Sequence, residues 1–243
     1  MKKILCLTIL LLLTVNNLVL ANRLQYEELQ QIDVTGDKLK ETIKLIGTFN
    51  NDTSLQLQDV FLEIQLGSTR ERISLKLEEG MKPKLAFPDL NHDGIKDIFV
   101  TTQNYRTDGT INSFAYIYAN KKFEQLPEIK GLNVTSSFLN NYKAEILVND
   151  QKYVMDLASR KKEYEKLGLY INGKLNEPME LMVGEFSELK PVYTLKGKAI
   201  KGVQIISGAY EEDILGKLTS TWILQKNEWV LQNVSWKSKE EKK

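Results

Sequence analysis

A nine-residue segment, Asp89–Asp97, carries oxygen-bearing side chains at the spacing that a hard cation requires. Its first, third, fifth and ninth positions are Asp or Asn, and its sixth position is Gly94. Calcium takes about six to eight oxygen ligands, and the carbonyl of the seventh residue can add one to those of the side chains. Gly94 permits the sharp turn that folds such a loop back on itself. The pattern predicts a Ca²⁺ site formed by Asp89, Asn91, Asp93, the backbone of Ile95, and Asp97.

This loop, which we call the Asp89 loop, joins two strands and is not an EF-hand. Apolar residues alternate with others before it, at Leu85 and Phe87, and after it, at Ile98 and Val100. An EF-hand needs a bidentate glutamate at its twelfth position, where this chain has Val100. Asp97 would therefore close the site. The alternative is a turn that binds nothing, because Asp and Asn favour turns in any case.

A second segment, Asp33–Glu41, follows the same spacing 56 residues upstream. We call it the Asp33 loop. Its sixth position is Lys38, which removes the glycine and adds a positive charge beside the oxygens. This segment is therefore either a second metal site or a vestigial turn that binds no metal. Its candidate ligands are Asp33, Thr35, Asp37, the backbone of Leu39, and Glu41.

The residues of Phe87–Val100 resemble the calcium loops of FG-GAP and VCBS repeats, including those of uncharacterised secreted Gram-positive bacterial proteins. The Asp33 loop and the hairpin that carries Trp222, Trp229 and Trp236 add to the resemblance. This likeness implies a β-propeller with calcium between the first two strands of a blade. It also implies a role in adhesion, or in binding a protein or a glycan.

Strand signals dominate the chain, and they predict an all-β, antiparallel fold. Ile73–Leu77 alternates strictly between apolar and polar residues, and other runs are aromatic or β-branched. Turn signals start at Gly67, Asn120, Asn172 and Asn227, at intervals of 53, 52 and 55 residues. This regularity predicts about four hairpin-containing units in a propeller-like or stacked arrangement. A chance series of hairpins is the alternative. Leu157–Leu167 reads equally as a short helix or an edge strand.

The N-terminus predicts export. Two lysines precede an apolar run from Ile4 to Val15, and Val19-Leu20-Ala21 offers a cleavage site, so we expect residues 1–21 to be a signal peptide. A retained anchor is the alternative, although the run is shorter than a membrane span. Residues 22–236 would form one domain, followed by a disordered charged tail at 237–243. The expected location is secreted or in the cell envelope, with no membrane span after cleavage.

Composition and motifs favour binding over chemistry. The 33 basic residues nearly balance the 32 acidic ones, which gives no indication of nucleic-acid binding. His92, the only histidine, reads as an exposed loop residue, and the three tryptophans read as core. We therefore expect a non-enzymatic Ca²⁺-binding module with an extracellular protein or glycan partner. An extracellular hydrolase that uses paired carboxylates is the alternative, and a deep acidic pocket away from both loops would favour it.

Overall fold

The structure is a computed structural model that describes residues 25–49, 51, 53–104 and 109–239. The expected signal peptide lies outside these residues. Within them, no helix is long and apolar enough to cross a membrane. The fold is mostly β, with antiparallel strand pairs and one short helix, as the strand signals predicted.

The N-terminal half forms an eight-stranded sheet. Its strands are β1 (Gln25–Ile32), β2 (Glu41–Phe49), β3 (Gln56–Gln65), β4 (Arg72–Lys76), β5 (Gly80–Ala86), β6 (Ile98–Gln103), β7 (Ile111–Ala119) and β8 (Lys122–Gln125). Their order is β1-β2-β3-β5-β6-β7-β8, and β4 also pairs with β3. The sheet thus consists of two meanders, β1–β4 and β5–β8, which are joined where β3 meets β5.

Two small sheets and a helix follow. A three-stranded sheet contains β9 (Thr135–Leu139), β10 (Lys143–Val148) and β11 (Gln151–Asp156). A 3-10 turn, Ala158–Arg160, leads into α1 (Lys161–Lys166), and β12 (Tyr170–Ile171) pairs with β13 (Lys174–Leu175). A six-residue helix is marginal by itself. Tyr164, which is fully buried, attaches α1 to the core. The structure thereby settles the ambiguity over Leu157–Leu167 in favour of a helix.

The C-terminal sheet is a four-stranded meander. It contains β14 (Met182–Thr194), β15 (Gly197–Ser207), β16 (Ile214–Gln225) and β17 (Glu228–Ser238). The turn between β16 and β17 is formed by Lys226 and Asn227, both at positive φ, one residue earlier than the turn signal suggested. β17 extends two residues into the tail that was expected to be disordered.

One strand of the first sheet is shared between two hydrophobic cores. Successive side chains of a strand point to opposite faces, and β6 is buried on both. Ile98 and Val100 join the core of the N-terminal sheet, together with Ile43 and Leu45 of β2. Phe99 points the other way, into a cluster that it shares with the C-terminal sheet.

The C-terminal sheet packs against two partners along its length. At one end, Ile200 and Leu224 belong to the cluster that contains Phe99. At the other end, Ile206 and Leu218 pack with the three-stranded sheet and α1. The three tryptophans lie half-buried against these clusters, in agreement with their assignment to the core.

The structure does not show the predicted series of four units. Across the described residues the sheets have eight, three, two and four strands, with neither a closed propeller nor a repeated unit around the chain. The turn signals themselves do mark hairpins, for example at Asn120-Lys121 and Asn172-Gly173. Two-residue hairpin turns favour positive φ wherever they occur. Turns at similar intervals can therefore occur even where the strands around them do not form equivalent structural units.

Candidate metal-binding loops

The Asp89 loop closes the hairpin of β5 and β6. At its neck, the amide of Asp97 donates to the carbonyl of Pro88 over 2.7 Å. The amide of Leu90 donates to Asp97 Oδ2 over 2.6 Å, and Leu90 is almost fully buried. These two bonds hold the first and last thirds of the loop together, so Asp97 lies beneath the turn.

Backbone amides orient the remaining oxygens. Asp89 Oδ2 accepts a hydrogen bond from the amide of Gly94 over 3.1 Å, and Asp93 Oδ1 accepts one from Ile95 over 2.8 Å. Asn91 Oδ1 accepts from the amide of Asp93 over 3.2 Å. Gly94 has a φ of 87°, a conformation that glycine adopts without a steric penalty. The tight turn that the sequence predicted is therefore present.

Burial, and to a smaller extent the neighbouring carboxylates, disfavour the ionised form of Asp97 in the Asp89 loop. Asp97 is only 2% exposed, and burial raises its pKa to about 6. Hydrogen bonds from the amides of Leu90 and Asn91 oppose that rise, whereas the nearby carboxylates of Asp93 and Asp89 add to it. Asp89 Oδ1 is buried and has no hydrogen-bond partner among the described residues. A cation within the loop would compensate both the repulsion and the unpaired oxygen.

The three carboxylates of this loop do not form a compact cluster by themselves. Across the described ranges, no group of three or more His, Cys, Asp and Glu side chains is arranged as a metal centre. The predicted set, however, includes the amide oxygen of Asn91 and the carbonyl of Ile95, both suitable ligands for calcium. The residues present therefore fit this ion through a mixed set of oxygens.

The Asp33 loop has the same backbone plan and closes the hairpin of β1 and β2. In each loop the sixth amide donates to the first carboxylate, the seventh amide to the fifth, and the second amide to the ninth. In the Asp33 loop these bonds measure 2.9, 2.8 and 2.8 Å. The fourth and sixth residues have positive φ in both loops. These are Gly36 and Lys38 in one loop, and His92 and Gly94 in the other.

The carboxylates of the Asp33 loop differ in being well supplied with protein donors. Asp33 Oδ1 accepts hydrogen bonds from the amides of Thr35 and Gly36. Glu41, which is fully buried, accepts from Thr35 Oγ1 over 3.4 Å and from the amide of Gly67 over 3.2 Å, besides Val34. These contacts satisfy its charge without an ion. The geometry therefore favours the vestigial-turn alternative for this loop.

The two loops touch each other. A Cβ atom added to Gly36 would lie 2.6 Å from Cδ1 of Ile95, closer than two carbon atoms can approach. Ile95 is the residue whose carbonyl belongs to the predicted calcium set. The position of the Asp89 loop is thus restricted on one side by the Asp33 loop.

On its other side, the Asp89 loop contacts the C-terminal sheet through His92. Its Nε2 lies 2.9 Å from the carbonyl oxygen of Lys198 on β15. A Cβ atom on Gly197, which has a φ of 103°, would lie 2.7 Å from the same nitrogen. His92 is exposed, as expected, but the contact joins residues 106 positions apart and had no signal in the sequence.

A buried polar cluster near α1 likewise has no signal in the sequence. Asp213 accepts a hydrogen bond from Arg160 Nε over 2.7 Å, another from the hydroxyl of Tyr164, and one from the amide of Ala209 over 3.1 Å. Burial raises the pKa of Tyr164, and its bond to Asp213 raises it further. Because each of these groups has a partner, the cluster joins α1 to the C-terminal sheet.

An open groove lies between the N-terminal and C-terminal sheets. It has a volume of about 570 Å³, and its lining includes Glu128, Lys130, Glu185 and Gln204. Gln204 has a structural task there, because it accepts from the amide of Leu132 and donates to the carbonyl of Gly184. The groove is open to solvent, and its lining contains both acidic and basic side chains.

Comparison with known proteins finds a described family domain that is similar to the second half of the chain. Residues 132–237, which span β9 to β17, match the YybI C-terminal domain. The chain is also similar to the uncharacterised protein YybI of Bacillus subtilis (strain 168). The two are 29% identical over an alignment of 194 residues, which covers 76% of this chain and 74% of that protein. No solved structure matches the chain.

These matches overturn the resemblance to FG-GAP and VCBS repeats, which was wrong. The metal-type positions of that likeness lie in two short loops outside the matched segment, whereas the family match covers 106 residues, from 132 to 237, including the tryptophan-bearing hairpin. A short metal-type loop can occur in unrelated folds, because it reflects the demands of the turn and not those of the surrounding sheet.

Proposed function

We propose that this protein is an exported Ca²⁺-binding β protein in which the metal has a structural role. The ion would be held by the predicted set of the Asp89 loop, and it would rigidify the connection between β5 and β6. The observation that supports this most directly is Asp89 Oδ1, a buried oxygen without a partner in the described part of the chain. Such an oxygen costs about 1–3 kcal/mol unless something compensates it.

The position of the Asp89 loop gives the ion a structural consequence. The loop leads into β6, which belongs to two cores, and it contacts both the Asp33 loop and β15. Ordering the loop would therefore stabilise contacts between the two halves of the protein. At ten times the dissociation constant, bound calcium would contribute about 1.4 kcal/mol. This is sufficient to order a loop but too little to create the fold.

We further propose that the first sheet contains a twofold version of the regularity seen in the sequence. Each of its meanders begins with a hairpin closed by one of the two loops, followed by two more strands. The turns at Gly67 and Asn120 occupy corresponding places, between the third and fourth strands of each meander. Of the two loops, the Asp89 loop alone has the unpaired oxygen, so we assign the ion to it.

The test is calcium titration of the purified protein by isothermal calorimetry. Extracellular calcium modules typically have dissociation constants of about 10⁻⁴–10⁻³ M, and we expect saturable binding in that range with one ion per chain. Asp93→Ala should abolish it, whereas the matched Asp37→Ala, at the same position of the Asp33 loop, should retain it. Absence of binding in the unmodified protein would refute the proposal. Two bound ions, or loss of binding in Asp37→Ala alone, would contradict the assignment to the Asp89 loop.

A further inference from the structure

The tip of the β14–β15 hairpin carries an unusual pair of exposed apolar side chains. We call residues Tyr193–Lys198 the Tyr193 tip. Leu195 is fully exposed and Tyr193 is 82% exposed, the two highest values among the large hydrophobic side chains of the described residues. Exposing both on one turn is costly in water unless they have a partner.

Side-chain hydrogen bonds hold the turn of the Tyr193 tip. Thr194 Oγ1 donates to the carbonyl of Gly197 over 2.9 Å and accepts from the amide of Lys196 over 3.1 Å. Lys196 Nζ reaches Gln232 Oε1 on β17 over 2.6 Å. These bonds fix the turn so that the side chain of Leu195 projects from it. The apolar surface is therefore presented before any partner binds.

Lysines surround these apolar side chains. Lys198 Nζ lies 3.0 Å from the centre of the Tyr193 ring, and Lys196 is the next residue after Leu195. Lys96, at the end of the Asp89 loop, is close enough to help Lys198 lower the pKa of Tyr193. A protruding leucine and tyrosine with cations around them match the layers of a lipid interface. Leucine enters the acyl region, tyrosine lies at the headgroups, and lysines meet the phosphates.

Calcium bound in the Asp89 loop would change the charge balance around the Tyr193 tip. His92 attaches it to Lys198, so the carboxylates of Asp89, Asp93 and Asp97 belong to the same end of the molecule. Together they oppose the three lysines and would repel anionic lipid. A bound Ca²⁺ would reduce their formal charge from −3 to −1 and leave the lysines in excess.

We propose that the Tyr193 tip, with calcium in the Asp89 loop, docks into the interface of an anionic lipid bilayer. The inference rests on the proposed calcium site. It goes beyond that site, because calcium binding alone does not imply that the β14–β15 hairpin contacts a membrane. Leu55, the next most exposed leucine at 65%, has no tyrosine or lysine within five positions along the chain.

Cosedimentation with lipid vesicles tests the proposal. The vesicles would be phosphatidylcholine alone, or phosphatidylcholine with phosphatidylglycerol at about three to one, at a calcium concentration that calorimetry shows to be saturating. We expect binding to the anionic vesicles, and little binding to neutral ones or without calcium. Leu195→Asn should weaken it about tenfold or more, because the leucine no longer enters the acyl region. Lys196→Gln should weaken it about fivefold, the value of one lysine near such a surface.

The matched control is Leu55→Asn, which removes an exposed leucine from a distant turn and should leave vesicle binding unchanged. Equal binding by Leu195→Asn and the unmodified protein would overturn the proposal. So would an absence of vesicle binding by protein that calorimetry shows to be loaded with calcium. Failure to bind calcium without lipid would instead refute the calcium site itself. Self-association in sedimentation velocity that Leu195→Asn abolishes would make the tip a contact between copies, and would also overturn lipid docking.

Discussion

The contact between Asp213 and Arg160 gives a sharp prediction about stability. Asp213→Asn keeps the size and shape of the side chain but removes its charge. The Asp213 side chain is 3% exposed and that of Arg160 is 18% exposed, so the ion pair is almost entirely removed from water. Removing one partner of a buried pair typically costs about 3–5 kcal/mol, because the other charge remains buried.

Two features of the structure place the expected cost at the lower end of that range. Arg160 retains a bond to the carbonyl of Ile214 over 3.3 Å, and its partial exposure allows some hydration. In either orientation, however, the NH₂ group of the substituted amide would face a hydrogen-bond donor, because both oxygens of Asp213 accept hydrogen bonds. We therefore expect a loss of about 3 kcal/mol, which lowers the melting temperature of a chain of this size by roughly 6–12 °C.

Urea denaturation followed by tryptophan fluorescence provides the assay. Trp222 and Trp236 pack against the same core as Tyr164, so their emission reports on this region. The matched control is Glu212→Gln, which removes a charge from the exposed neighbouring residue and should change the free energy of unfolding by less than about 0.5 kcal/mol. If Asp213→Asn also stays within that limit, the pair does not hold α1 to the sheet, and the reasoning is refuted.

Two further predictions concern a buried phenol and a close contact. Burial raises the pKa of Tyr170 to about 12, and its hydroxyl faces the carbonyls of Leu139 and Lys143. Because unfolding releases this phenol to its ordinary pKa near 10, stability should fall as the pH rises from about 10 to 12. Tyr170→Phe should reduce that fall by up to about 2–3 kcal/mol in denaturation curves, and an unchanged pH profile would contradict this. Gly197→Ala should cost about 1–3 kcal/mol through its positive φ, with an added cost from the contact with His92. Making the same change in a His92→Ala background should remove only the added cost, and equal losses in both backgrounds would show that the contact contributes nothing.

Local features of this chain could be predicted because they depend on neighbouring residues. The strands on either side of the Asp89 loop follow from alternation of apolar residues, and the turn at Asn172-Gly173 follows from its preference for positive φ. The hairpin of β16 and β17 was likewise visible in its strand runs. The ambiguity at α1 was equally local, since a short charged segment lacks the periodicity that separates helix from strand.

The long-range features could not be predicted in this way. Arg160 and Asp213 are 53 residues apart, and His92 and Lys198 are 106 apart, so no periodic pattern connects them. The error about repeats arose from the same limit, because even spacing of turns carries no information about which strands pair. For the candidate site, the sequence predicted which residues could provide oxygen ligands. It could not predict that Asp89 Oδ1 lacks a hydrogen-bond partner or that Glu41 has several, because both depend on how the chain packs.

Because β6 is buried on both faces, it affects where the chain could be cut into fragments that fold by themselves. The family match begins at residue 132, yet the C-terminal sheet contributes Ile200 and Leu224 to a cluster completed by Phe99 of β6. A fragment that starts at that boundary would leave those two side chains facing solvent. The start of the matched segment, at residue 132, is therefore not a boundary between two separate hydrophobic cores. The two halves should melt as a single cooperative unit, and neither half should be expected to persist as an autonomous module.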